Sequence, residues 1–175
     1  MISERIGQTV RHYMLHVGKW FAAMGITPNM ATLIGLALNI VVAFIIAAGY
    51  PIAGGILLLV ASAFDMVDGA IARATDNIST FGGFFDSTID RYSEIVVYIG
   101  LAYWLNQTSD DHLGSLLTLI AATGALMISY ARARAEAIGY KASVGLVARP
   151  ERVVLLAICL IINQPLWALW ILAVL

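Results

Sequence analysis

The chain has 175 residues, of which 61% are hydrophobic and only 12% charged, and its mean hydropathy of +0.87 suits one domain in a membrane rather than in water. A net charge of −1 carries no basic excess, which speaks against a nucleic-acid partner. The single cysteine, Cys159, excludes an intramolecular disulfide and a thiol-rich metal site, and within its apolar run it reads as a small core residue.

The first predicted element covers residues 2–24. Ile6, Val10, Met14, Val17 and Phe21 recur at helical spacing, with Arg5, Arg11, His12 and Lys19 elsewhere on the wheel. This pattern predicts an amphipathic helix lying in the headgroup plane; the alternative is a helix packed on a neighbour. The segment lacks the compact apolar block of a cleavable signal peptide. His12 and His16 share a face but have no third ligand nearby, and interfacial solvation accounts for them.

A helix needs about 20 apolar residues to cross a bilayer, and the first four such runs lie at 30–50, 52–73, 81–105 and 113–138. Gly49-Tyr50-Pro51 separates the first two with a turn signal. The apolar sequence 153–175 is broken by Asn163-Gln164-Pro165 into two further segments, and the last is about 16 Å long, too short to cross alone. Gly54, Gly55 and Gly124 read as helix-packing positions, and Tyr92, Tyr98 and Trp104 as packing or interfacial groups.

Arg5, Arg11 and Lys19 precede the first run and Arg73 ends the second; Arg132, Arg134, Lys141, Arg149 and Arg152 lie between the fourth and fifth. The opposite connections hold no Lys or Arg and contain Asp110 and Asp111. The positive-inside rule then places the N-terminus, the second-to-third connection and the fourth-to-fifth connection in the cytoplasm.

Asp65, Asp68, Arg73, Asp86 and Asp90 interrupt this apolar background. Each intramembrane carboxylate costs roughly 2.5–3.5 kcal/mol on insertion scales, so four of them need compensation. Asp65 and Asp68 are three residues apart on one helix, and Asp86 and Asp90 four apart on the next, so each pair shares a face and a hairpin gathers all four. Hard divalent cations would hold them ionised, and oxygen-only ligation favours Mg²⁺ with Mn²⁺ or Ca²⁺ as substitutes. Simple pairing with Arg73 and Arg91 is the plainer alternative, but two arginines cannot neutralise four acids. Gly69, Gly82 and Gly83 let backbone approach a bulky polar ligand, and Arg73, one turn beyond Gly69, is placed to clamp a diphosphate. A cation transport path lined by the four acids is a competing reading, although neither midplane binding residues nor internal repeats accompany them.

The run Asp65-x2-Asp68-Gly69-x2-Ala72-Arg73-x8-Gly82-x3-Asp86-x3-Asp90 resembles the signature of the CDP-alcohol phosphotransferase family without a departure. Eight fixed positions over 26 residues make the signal highly specific. The resemblance implies an all-α membrane protein of six transmembrane helices, the last one short, with the interfacial N-terminal helix. A single domain would then occupy 1–175, with the bundle over 30–175. It further implies a homodimer in the cell membrane with a cytoplasm-facing site, and a reaction in which an alcohol displaces CMP from a CDP-lipid. Carried over by position, Asp65, Asp68 and Asp86 are metal ligands and Asp90 is the general base that also reaches the metal. Gly69, Arg73 and Ser79 contact the CDP moiety, together with backbone near Pro28, Asn29, Met30 and Ala31. The stretch Ser129–Ala137 followed by Arg149-Pro150-Glu151-Arg152 is similar to members that use inositol phosphate, and Arg132, Arg149 and Arg152 would bind the acceptor's phosphate. Glycerol 3-phosphate is the alternative acceptor, because inositol-phosphate members tend to carry Lys where Arg132 stands.

Overall fold

The computed structural model describes residues 2–108, 112–140 and 148–174; Asp110, Asp111 and Lys141 of the charge pattern lie outside them. The described residues form eight helices and no strand: α1 (Ile2–Ala23), α2 (Pro28–Ala47), α3 (Pro51–Phe64), α4 (Met66–Ala74), α5 (Thr80–Thr108), α6 (Leu113–Ala137), α7 (Arg149–Ile161) and α8 (Pro165–Val174).

Local chemistry sets the boundaries. Pro28, Pro51 and Pro165 open α2, α3 and α8, where a missing N–H goes unmissed and the fixed φ already suits a helix. Gly49 ends α2 with a φ of 91°, which lets the Tyr50 N–H donate to Ile45 O at 3.1 Å and closes the helix end. The stretch 52–73, one run in the sequence, is divided at Asp65, since α3 stops at Phe64 and α4 starts at Met66. Asp65 keeps near-helical angles (φ −56°, ψ −22°), and its N–H still donates to Ala61 O at 3.0 Å. The break is a one-residue step rather than a turn.

Pro28–Ala47, Pro51–Ala74 and Leu113–Ala137 are long and apolar enough to cross a membrane, so this is an all-α membrane protein. The expected third span is a continuous helix of 29 residues, but Asp86, Asp90, Arg91 and Glu94 in its first half lower its hydropathy. α7 and α8 have 13 and 10 residues, each short of a crossing. Length and composition thus identify three spanning segments among the described residues, and six crossings stand as a proposal.

The contacts divide into two compact units, Met1–Leu38 with Ala61–Tyr92, and Asn39–Val60 with Ser93–Leu175. In the first, α1 packs on α4. Val17, Phe21 and Ala22 of α1 cover the buried Ala31, Val67 and Ile71, and Phe21 meets Phe64 edge-on with centroids 5.8 Å apart. A Cβ at Gly18 would run into the Ala70 carbonyl and the Ile71 nitrogen, so the absence of a side chain brings α1 and α4 backbone to backbone. One face of α1 is therefore packed on a neighbour, while Tyr13 and Trp20 stay exposed.

In the second unit α8 packs on α6 and α7, burying Ala168, Leu169 and Leu172, and Cys159 is buried as expected. Gly55 serves helix packing, since a Cβ there would lie 2.8 Å from Ala157 O, and Gly54 faces Ile46. Gly100 sits against the backbone of Ala43 in the same way. Gly124 departs from the expectation, with no atom within 4 Å of where its Cβ would stand.

Candidate functional site

Within the first unit, the start of α2, one face of α4, the connection after it and the start of α5 surround one cavity of about 480 Å³. Its walls follow from helix ends. Thr27 caps α2, its Oγ1 accepting from the Met30 N–H at 3.3 Å and its carbonyl from the Ala31 N–H at 3.0 Å. Ser79 does the same for α5, where Oγ accepts from the Gly82 N–H at 2.9 Å. Both caps satisfy donors that a helix start leaves over, and both cap residues line the cavity.

α4 contributes charge of both signs. Asp68 lies in its first turn and Arg73 in its last, the arrangement a helix dipole favours. Asp68 is buried; its Oδ2 accepts from the Thr32 hydroxyl at 2.9 Å and its Oδ1 from the Gly69 N–H. The Arg73 guanidinium folds back along the helix over Gly69, where a Cβ would stand 3.1 Å from Nη1. The bare backbone at Gly69 makes room for that cation at the cavity wall.

Pro28, Asn29, Gly69, Arg73 and Ser79, five of the seven expected nucleotide-side residues, line this cavity. Met30 and Ala31 do not. Met30 projects outward with 47% exposure and Ala31 is packed in the core, and the backbone N–H of each is already engaged by Thr27. Four successive residues of α2 cannot all face one side, so the nucleotide-side role of Met30 and Ala31 rests on the resemblance alone.

Asp68 and Asp86 line the cavity; Asp65, at the step before α4, and Asp90, one turn further along α5, do not. Asp65 Oδ1 rests where a Cβ of Gly35 would be 2.7 Å away, and Asp90 lies 3.7 Å from Arg91 Nη1. Among the described residues no three His, Cys, Asp or Glu side chains are grouped closely enough to hold a metal ion. The expected four-acid cage is thus two carboxylates on the wall and two beside it. Like charges repel at short range, and each acid has local surroundings of its own.

The acceptor-side arginines all belong to the second unit. Arg132 is exposed and 4.0 Å from Glu136 Oε1, a surface pair of little strength. Arg149 opens α7. Arg152, expected as a phosphate ligand, is buried, and one edge of its guanidinium is occupied: Nε and Nη2 donate to Glu94 Oε1 and Oε2, each at 2.9 Å. Thr27 and Thr32 bound the nucleotide-side segment that the resemblance marks but carry no individual role in it, and sequence reasoning assigns nothing to Glu94, Asn77 and Ile78. A carboxylate within a predicted span was signal enough for Glu94, and a hydroxyl one turn after Pro28 in an apolar run was a signal for Thr32. Asn77 and Ile78 sit in the connection between α4 and α5, where no periodicity marks them.

Residues 25–175 match the family model described as CDP-alcohol phosphatidyltransferase. The chain is 35% identical to the archaetidylinositol phosphate synthase of Pyrococcus horikoshii, over 98% of this chain and 89% of that one. It is 36% identical to the phosphatidylinositol phosphate synthase of Mycobacteroides abscessus, over 86% and 72%. Its fold is similar to the crystal structure of the Mycobacterium tuberculosis phosphatidylinositol phosphate synthase with CDP-DAG bound, with a TM-score of 0.86, 29% identity, and coverage of 92% of this chain and 86% of that one. The same mycobacterial protein in complex with manganese and citrate matches with a TM-score of 0.86, 29% identity and coverage of 92% and 82%. A family model spanning most of the chain, relatives of this similarity and the Asp68–Arg73 cavity agree: the chain belongs to the CDP-alcohol phosphatidyltransferase family.

Proposed function

We propose that this protein transfers the lipid phosphate of a CDP-linked lipid to inositol phosphate and releases CMP. The observation that carries the reading is the cavity in which Arg73, Gly69, Ser79 and Asn29 stand beside Asp68 and Asp86, a wall that offers a forked cation, hydrogen-bonding groups and hard anionic oxygens to a diphosphate. The names of the relatives support the acceptor, and the CDP-DAG and manganese complexes of the mycobacterial structure support the donor and a divalent ion.

The carboxylates suit such an ion by their chemistry rather than by their present grouping, since no three of them stand close enough together to hold it. Asp65, Asp68, Asp86 and Asp90 would hold it through carboxylate oxygen, and the bare Gly35 beside Asp65 Oδ1 leaves that carboxylate space to turn. Hard oxygen ligands suit magnesium first, with manganese or calcium as substitutes. When bound, the ion supplies charge stabilisation for the diphosphate and the departing CMP.

The chain's own groups do the rest. Arg73 grips the diphosphate over Gly69, and the Ser79 hydroxyl, which accepts from Gly82, keeps its proton to donate to the ligand. Asp90 takes the proton of the acceptor hydroxyl as its oxygen bonds to the lipid-side phosphorus and the bond from that phosphorus to the CMP oxygen breaks. Arg132, Arg149 and Arg152 meet the phosphate that the acceptor already carries. The site opens toward the cytoplasm of the cell membrane, as the distribution of Lys and Arg indicates, and six crossings, an interfacial α1 and a homodimer complete the reading.

The test is CMP release by the purified protein in vesicles containing CDP-diacylglycerol or its diether counterpart, with magnesium and a panel of inositol phosphate, glycerol 3-phosphate, free inositol and serine. Equimolar CMP and phosphoinositol lipid are expected with inositol phosphate, and none with a chelator present. Turnover with glycerol 3-phosphate alone would replace the acceptor, and no CMP with any member of the panel would overturn the reading.

A further inference from the structure

The second unit contains a buried ion pair of which the reaction described so far uses only one member, Arg152. Glu94 on α5 and Arg152 on α7 are 9% and 5% exposed, and two hydrogen bonds of 2.9 Å join both carboxylate oxygens to the Nε and Nη2 edge of the guanidinium. Such a pair fixes direction as well as distance, because two parallel bonds leave the planar fork little rotation. Arg152 lies in the first turn of α7, and Arg149, three residues earlier, shares its face. The turn is secured a second time by its own cap, the Ala148 N–H donating to Glu151 Oε2 at 2.9 Å. Glu94 takes two of the five N–H donors of the guanidinium, which keeps its positive charge at one defined place. Burying two ions is costly unless the geometry is good, and here it is good at the very turn that carries two of the three acceptor-side arginines.

We infer that Glu94 is a positioning residue of the acceptor site: through Arg152 it holds the first turn of α7, and with it Arg149, in the arrangement that receives the phosphate of the acceptor. The inference rests on the reading of Arg149 and Arg152 as acceptor ligands under Proposed function. It assigns Glu94 no contact with substrate and no part in bond making.

The experiment is steady-state kinetics of the full-length protein in vesicles, varying inositol phosphate and the CDP-lipid separately, with the thermal midpoint of each variant recorded. Glu94→Gln keeps the shape of the side chain and removes its charge. It is expected to raise the KM for inositol phosphate about tenfold while the KM for the CDP-lipid stays within twofold and kcat changes less than the acceptor KM. Because Glu94 acts through Arg152, the Glu94→Gln, Arg152→Lys double variant is expected to be no worse for the acceptor than Arg152→Lys alone. A merely structural pair would lower the thermal midpoint and shift both KM values together, and that outcome overturns the inference. If Arg149→Gln and Arg152→Lys raise the acceptor KM but Glu94→Gln does not, the inference fails while the acceptor reading survives. If Arg149→Gln and Arg152→Lys both leave the acceptor KM unchanged, the acceptor reading itself fails and the inference goes with it.

Discussion

A glycine in the interior of a helix gives up about 1 kcal/mol of helix propensity relative to alanine, so each one invites the question of what fills the space it leaves. At Gly35 the answer is a carboxylate oxygen of Asp65. That oxygen is the end of a side chain and can rotate away, so Gly35→Ala is expected to leave the thermal midpoint nearly unchanged while moving the carboxylate. Manganese affinity measured by calorimetry or electron paramagnetic resonance should fall about tenfold, as it does when outer-shell support of a ligand is disturbed; unchanged affinity would remove Asp65 from the ligand set. The acids and Arg73 were legible in the sequence because charge in an apolar run stands out on its own. Ala31 is marked by the motif alone, which does not tell which side of a helix a residue faces, and in the structure it packs in the core. The Glu94–Arg152 pair was hidden for another reason, since its partners lie 58 residues apart and no periodicity links them.

Helices that meet through glycine tolerate no added methyl where the neighbour is backbone. Gly18 abuts the carbonyl of Ala70, and Gly100 abuts that of Ala43, so Gly18→Ala and Gly100→Ala should each destabilise the protein by about 1–3 kcal/mol through overpacking. Gly124→Ala, with nothing within 4 Å, should be neutral or gain a few tenths of a kcal/mol from propensity. Thermal unfolding of the three variants in one detergent separates the cases, and equal shifts for Gly18 and Gly124 would refute the close approach of α1 to α4. Element boundaries were read well wherever proline or glycine marks them, as at Pro28, Gly49, Pro51 and Pro165. The step at Asp65 escaped because its backbone angles stay near helical and the apolar run continues across it, so nothing local announces the change from α3 to α4.

For the molecule as a whole, the uneven distribution of Lys and Arg bears on sidedness. α6 is long and apolar enough to span a membrane, so Gln107, before it, and Tyr140, after it, are expected to face opposite compartments. Cys159 is buried and gives little background to a thiol reagent. A membrane-impermeant maleimide added to intact cells is expected to label Gln107→Cys and to reach Tyr140→Cys only after the membrane is opened; the reverse pattern would turn the proposed active site away from the cytoplasm. Family membership also disposes of the cation-transport reading, which shared the same acids but had no use for the glycines and arginine beside them. The contact at Gly18 has a practical side. Because α1 lies backbone to backbone on α4, the helix that carries Asp68 and Arg73, trimming the leading segment or fusing a bulky handle to it is expected to disturb the support of those two side chains, and a purification tag belongs at the other end.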